Sequence, residues 1–341
     1  MYYDELSNTI DQLVQSGKGI LAADESNGTI GKRFAAIQLE NTAEHRRDYR
    51  LLLANTPGLE EYISGVILFE ETFSNQNEQG QSVPELLLAK GIMPGIKVDK
   101  GLSILANTQK EHITLGLDDL AERLVAFKAQ GAKFAKWRNV YAISDSTPSM
   151  TAIKAGAETL ARYAAICQSI GIVPIVEPEV LIDGDHSIDH CAEVCELVLH
   201  EVFNALFLHQ VALEYIILKP SMVTCGKDAK PFSSPDEIAD YTLNVFENTV
   251  LPAVPSINFL SGGQTPDQAT ENLNAINSCG YQPWNLSFSY GRALQEECIQ
   301  AWQGKPENVS KAQSVLLERA RLNSLACMGE YEPATTAAEI A

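Results

Sequence analysis

The sequence is short of the features that would carry a protein into a membrane or onto nucleic acid. Nowhere in its 341 residues is there an apolar run of about 18 residues, the length that crosses a bilayer. Basic residues are scarce, 25 Lys and Arg against 44 Asp and Glu, for a formal net charge of -19. A continuous basic face for a phosphate backbone or an anionic membrane is therefore excluded. Any anionic ligand must be held by a few local cations and backbone N–H groups. The opening stretch from Met1 to Ile10 has neither the basic nor the apolar part of a secretory signal, so a cytoplasmic location is expected. The seven cysteines are odd in number and lack CxxC spacing. They read as reduced, mostly buried thiols rather than a disulfide framework or a metal knuckle.

Repeats, low-complexity tracts and Pro/Ser-rich linkers are also missing, so one catalytic domain over 1–341 is expected, with 328–341 as a flexible C-terminal tail. What does recur is a short apolar, β-branched run followed by a turn and a helix-period segment, the pattern of a parallel sheet built from βα units. Eight such runs occur, at 19–24, 62–69, 93–99, 134–141, 172–179, 215–220, 254–263 and 284–292. Helices announce themselves at Thr265-Pro266-Asp267-Gln268 and Ser234-Pro235-Asp236-Glu237, each a capping residue, Pro at the first helical position and Gln or Glu at the third. Leu117, Leu120, Leu124 and Phe127 form one apolar stripe, with Gly131 placed to end it. Eight βα repeats predict an α/β fold, a single (β/α)8 TIM barrel, because closure leaves no sheet edge exposed. An open doubly wound sheet is the alternative, weakened by a first strand-to-helix turn without GxGxxG.

Charge gathers at the C-terminal ends of these apolar strands, where barrel enzymes build their sites. Asp24 ends strand one, Lys97 lies near the end of strand three, Lys136 and Arg138 are in strand four, Glu177 and Glu179 end strand five, and Lys219 ends strand six. Period-two alternation puts Glu177 with Glu179 on one face, and Lys136 with Arg138 on one face. A buried ion-pair network without chemistry explains one such pair. Five charged strand ends are harder to explain that way, since each buried charge opposes folding. Burial and a nearby Lys136 both disfavour the ammonium of Lys219, which points to an amine able to attack a carbonyl. By spacing alone Lys97 or Lys136 could be the nucleophile instead.

Glycine-bearing turns follow strands seven and eight, Ser261-Gly262-Gly263-Gln264 and Ser289-Tyr290-Gly291-Arg292, the loops that often bind phosphate in barrels. Arg292 adds a fork-shaped cation. Lys32, Arg33, Lys97 and Arg138 suggest a second phosphate site, although Lys32 and Arg33 also fit a solvated helix face. Asp183, Asp185, His186 and His190 have a partly metal-like spacing, better read as a polar loop entering a helix. No metal and no cofactor is expected.

Together these residues resemble the class I fructose-bisphosphate aldolases. The matching motifs are GKGILAADES at 17–26, GVILFEET at 65–72, GIKVDKG at 95–101, FAKWR at 134–138, GIVPIVEPE at 171–179, LKPSMV at 218–223, FLSGGQ at 259–264 and FSYGRAL at 288–294, in family order. The resemblance runs from Lys18 to about Cys327. It implies reversible, metal-independent cleavage of fructose 1,6-bisphosphate into glycerone phosphate and glyceraldehyde 3-phosphate, in glycolysis and gluconeogenesis or the Calvin cycle, by a homotetramer. Lys219 would form the Schiff base at C2, Glu177 would move protons, Glu179 and Lys136 would hold the network, and Asp24 would take the C4 hydroxyl proton. Ser261, Gly262, Gly291 and Arg292, with Ser289 beside them, match the C1-phosphate site. Ser26, Thr29, Lys97 and Arg138 match the C6-phosphate region, Thr29 standing where Ser is common. Many members close with a terminal tyrosine linked to enamine proton exchange, whereas the last tyrosine here is Tyr331. Another group or water is expected to do that step. Two rival readings are a metal-assisted enzyme using His186 and His190, which a chelator would silence, and an inactive sugar-phosphate sensor, which has no use for the proton-transfer set.

Overall fold

The computed structural model describes residues 2–333, so the part of the expected tail from 334 onward lies outside the described residues. Eight strands close into a barrel: β1 Gly19–Ala23, β2 Ile63–Leu68, β3 Met93–Lys97, β4 Phe134–Tyr141, β5 Val173–Val180, β6 Ile217–Leu218, β7 Ser256–Phe259 and β8 Asn285–Tyr290. Each pairs in parallel with its sequence neighbour, and β8 pairs with β1. Helices on the outside connect them, which makes the fold a (β/α)8 TIM barrel and removes the open-sheet alternative.

Alternation decides what fills the barrel. Ile20, Ala22, Ile67, Phe134, Val173, Ile175 and Ile217 point inward and form a compact core with Leu6, Ile10 and Leu13 of the first helix, α1 Tyr3–Leu13. This helix, with buried residues spaced along one face, closes the N-terminal end of the barrel. Phe134 fits because β2 and β3 present Gly65 and Gly95 to it: a Cβ on Gly95 would stand 2.2 Å from its ring. The larger core lies between the outward strand faces and the surrounding helices. All seven cysteines carry free thiols, five of them buried, with Cys279 exposed and Cys327 half-buried.

Three local outcomes differ from expectation, each for a backbone reason. The sixth strand is expected over 215–220 but its ladder is only Ile217–Leu218, because Leu213–Tyr215 forms a 3-10 turn and Pro220 has no N–H to donate. Lys219 N–H still donates to Val176 O at 2.8 Å, so the lysine is fixed to β5. The helix with the Leu117 stripe starts only at Leu120, since Asp119 takes a left-handed conformation with φ 52°, and Gly131 with φ 105° follows its end. A hairpin of Leu102–Ile104 and His112–Thr114 lies between β3 and β4, with strands of three residues too short to carry an alternation signal. Among the described residues no helix is long and apolar enough to cross a membrane.

Candidate active site

Inward parity continues past the hydrophobic core toward the C-terminal mouth. One step above Phe134 come Lys136 and Arg138; above Ile175 come Glu177 and Glu179; above Ile217 comes Lys219; above Ala22 comes Asp24. Register brings them level, Lys97 with Lys136 and Arg138 with Glu177. Lys136 Nζ lies 2.8 Å from Asp24 Oδ2 and 3.1 Å from Glu177 Oε2. Lys219 Nζ lies 3.1 Å from the other oxygen, Glu177 Oε1. One carboxylate thus bridges the two amines, and Arg138 Nη1 closes the set on Glu179 Oε2 at 2.8 Å. Three cations face three carboxylates, and the side chains of Asp24, Lys136, Glu177, Glu179 and Lys219 are buried.

Their protonation follows from this packing. Burial alone would raise the Asp24 carboxyl, but the ammoniums of Lys136 and Lys219 override it and hold Asp24 well below the usual carboxylate range. Glu177 is lowered in the same way, against burial, by Lys136, Lys219 and Arg138. Glu179 goes the other way: burial raises it, and Arg138 only partly offsets that. Burial disfavours the Lys136 ammonium, yet Asp24 and Glu177 outweigh it and push the amine above its ordinary value. The geometry therefore separates the lysines. Lys136 is an ion-paired cation between two carboxylates, and Lys219 has the bridging Glu177 as its partner.

Above this layer opens a cavity of about 710 Å³. Ser26, Thr29, Arg33, Lys97, Arg138, Ser261, Gly262, Ser289, Gly291 and Arg292 all line it, together with the charged layer. Lys32 does not line it. In the helix α2, Asn27–Ala36, Thr29 and Arg33 are four residues apart and share the cavity face, whereas Lys32 is turned away and exposed. Ser26 caps that helix, its hydroxyl accepting from Thr29 N–H at 3.4 Å and contacting Thr29 Oγ1 at 3.1 Å. The cavity therefore meets two hydroxyls at a helix N-terminus. Lys97 is held by Asp99, Nζ to Oδ1 2.6 Å. Arg292 Nη2 donates to Gln264 O at 2.9 Å, tying the turn after β8 to the turn after β7.

Two participants were not anticipated. Asp99, which anchors Lys97, lies just beyond the strand ladder. Glu25 is buried between Arg33 and Arg50. A signal for it does exist in the sequence: Arg50 sits among Tyr49, Leu52 and Leu53 on the buried face of the helix α3, Ala43–Ala54, where a cation requires a buried carboxylate. Ser187 caps the helix Ile188–Leu208 by accepting from His190 N–H, so the Asp183–His190 segment is a loop entering a helix. Tyr331 is not a cavity residue; its N–H donates to Asn274 Oδ1 at 2.9 Å.

Fold and cavity together define a (β/α)8-barrel enzyme built round a buried amine and paired carboxylates. The family model described as glycolytic fructose-bisphosphate aldolase class-I matches residues 5–341. The chain is 52% identical over 338 residues to the chloroplastic fructose-bisphosphate aldolase of Oryza sativa subsp. japonica, covering 99% of this chain and 87% of that one. Identity is 53% to fructose-bisphosphate aldolase 1 of Toxoplasma gondii, over 96% of this chain and 91% of the relative, and 52% to the cytosolic fructose-bisphosphate aldolase 5 of Arabidopsis thaliana, over 97% and 92%. A ternary co-crystal structure of the fructose-bisphosphate aldolase from Plasmodium falciparum, in complex with TRAP and a small molecule inhibitor, superposes with a TM-score of 0.96 at 51% identity, over 98% of this chain and 96% of that one. The chain belongs to the class I fructose-bisphosphate aldolase family, and it is accordingly a carbon–carbon lyase.

Proposed function

We propose that the protein cleaves fructose 1,6-bisphosphate reversibly through a Schiff base on Lys219. The observation that carries this reading is the bridge formed by Glu177, with Lys219 on one oxygen and Lys136 on the other, each at 3.1 Å. Glu177 accepts a proton from Lys219, whose Nζ then attacks the C2 carbonyl. The same carboxyl returns the proton to the carbinolamine hydroxyl, which leaves as water and gives the iminium. Asp24, kept ionised by Lys136 and Lys219, takes the C4 hydroxyl proton. The C3–C4 bond breaks, its electron pair passes into the iminium to form the enamine, and glyceraldehyde 3-phosphate departs. Protonation at C3 and hydrolysis then release glycerone phosphate and restore Lys219. Glu179 and Arg138 brace the far side of Glu177.

The phosphates give orientation. Ser261, Gly262, Ser289, Gly291 and Arg292 hold the C1 phosphate, and Ser26, Thr29, Lys97 and Arg138 hold the C6 phosphate, converting binding energy into alignment of C2 with Lys219 and C4 with Asp24. Borohydride added with substrate is expected to inactivate the enzyme irreversibly and leave the reduced adduct on Lys219 by peptide mass analysis. Full activity after that treatment would overturn the assignment. A chelator is expected to leave turnover unchanged.

We also infer a homotetramer working in the cytoplasm. A cytosolic relative from Arabidopsis thaliana and a cytoplasmic isozyme from Spinacia oleracea support the location. Support for self-association comes from an uncovered apolar face: Phe207 is 78% and Leu208 68% exposed, beside a groove of about 240 Å³ lined by Phe203, Val211, Leu213 and Leu251. A protruding apolar knob beside an apolar groove on the same face suits a second copy of the chain related by a two-fold axis.

A further inference from the structure

Glu25 follows Asp24 but, by alternation, leaves the barrel interior for the layer between β1 and the helices α2 and α3. There its carboxylate meets two guanidiniums, Arg33 Nη1 at 2.5 Å and Arg50 Nη1 at 2.8 Å. Gln295 fixes it further, its amide donating to Glu25 Oε1 at 2.9 Å and to Ala22 O at 2.7 Å. The amide oxygen of Gln295 is itself occupied by Tyr49 O–H at 3.1 Å. Arg33 lines the cavity, and one of its guanidinium nitrogens comes within 3.7 Å of where a Cβ on Gly291 would stand. The cation grouped by sequence with Lys97 and Arg138 thus reaches the turn after β8 instead.

The charges are unequal. A carboxylate holding Arg33 alone would cancel the charge of that arginine, leaving nothing to attract an anion. Arg50 is almost completely buried and reaches no other carboxylate among the described residues. Burial of an arginine opposes folding unless it is compensated, and its presence makes the cluster carry one net positive charge at the cavity rim. In a chain of net charge -19, a retained local cation matters for a bisphosphate. We propose that Glu25 and Arg50 are positioning residues for the aldolase reaction: Glu25 locks the Arg33 guanidinium beside the Gly291 turn, and Arg50 neutralises Glu25 so that Arg33 keeps its charge for a substrate phosphate. This rests on the reading of that turn as a phosphate site. Arg33 presents one edge to Glu25 and leaves the rest of its fork for phosphate oxygens, whereas Arg292 is exposed and tied to Gln264.

The test is steady-state kinetics on the full chain, with inorganic phosphate as inhibitor. Arg50→Met leaves Glu25 to cancel Arg33, so KM and the phosphate inhibition constant are expected to rise about tenfold, the size of one charged hydrogen bond, with kcat changed less than about threefold. Glu25→Gln combined with Arg50→Met removes both charges from beside Arg33 but keeps a side-chain oxygen at position 25 for its guanidinium to donate to, so Arg33 stays in place with its charge uncancelled. Phosphate inhibition should then return to within about threefold of the unsubstituted enzyme. A double variant as weak as Arg50→Met, or an Arg50→Met that lowers kcat with KM unchanged, overturns the proposal. If Arg50→Met does not fold, Arg50→Lys serves: charge is kept, so phosphate inhibition should stay within about twofold, and a tenfold weakening overturns the charge argument. Borohydride trapping is read separately. Absence of an adduct on Lys219 in the unsubstituted protein strikes the Schiff-base reading and leaves the phosphate comparison standing.

Discussion

Lys136 is the residue on which the buried charges depend, because among the described residues it alone pairs with both Asp24 and Glu177. Replacing it by Met strands Asp24 in the barrel and leaves Glu177 with Lys219 alone, and a loss of about 3–5 kcal/mol at neutral pH is expected in denaturant titrations. The sign of its pH dependence follows from the shifts. Asp24 and Glu177 sit below their ordinary values of 3.8 and 4.5, so their pairing stabilises fully above those values and is lost as pH falls through the folded ones. Lys136 sits above 10.5, so its contribution is complete below that value and fades only as pH rises through the higher folded one. The difference between the enzyme and Lys136→Met should therefore shrink as acid protonates the carboxylates. A gap that widened below about pH 4 would contradict the pairing. Glu177→Gln keeps the shape but not the proton transfer that the proposed mechanism assigns to it, and a fall of about 10²–10⁴-fold in kcat is expected, with adduct formation on Lys219 slowed in rapid-quench borohydride experiments.

At the scale of elements, what could be read in advance was what depends on local periodicity. Strand alternation alone places Lys136 with Arg138, and Glu177 with Glu179, on one face, and the barrel makes that face the interior. Capping residues marked the starts of the helices Pro235–Thr249 and Pro266–Ser278. Contacts made across long stretches of chain could not be read in this way: Glu25, Arg50 and Gln295 meet from three separate elements, and nothing periodic links them. Lys32 and Arg33 are neighbours in sequence but divide between solvent and cavity, a distinction set by how α2 leans on the barrel. Periodicity likewise does not distinguish Lys219 from Lys97 and Lys136 as the nucleophile; resemblance to the family does. The interior glycines give the element-scale prediction. Gly95→Ala would drive a methyl into the Phe134 ring, and a loss of about 1–3 kcal/mol is expected from thermal unfolding, with Phe134→Leu in the same chain recovering part of it. Leu13→Ala, emptying the contact between α1 and the barrel, should lose about 2–5 kcal/mol.

For the whole molecule, the exposed Phe207 and Leu208 face makes association measurable. Phe207→Glu is expected to yield a smaller species in sedimentation velocity while leaving Lys219 open to borohydride trapping; an unchanged sedimentation coefficient would remove that face from the assembly. A last consequence follows from α1. Because that helix stoppers the N-terminal end, the barrel is, among the described residues, a blind shaft with a floor made of charges that opens at the top. Arrival and departure share that doorway, so under the proposed Schiff-base mechanism the fragment bound to Lys219 stays behind the one that is free. The untethered aldehyde is then expected to leave first.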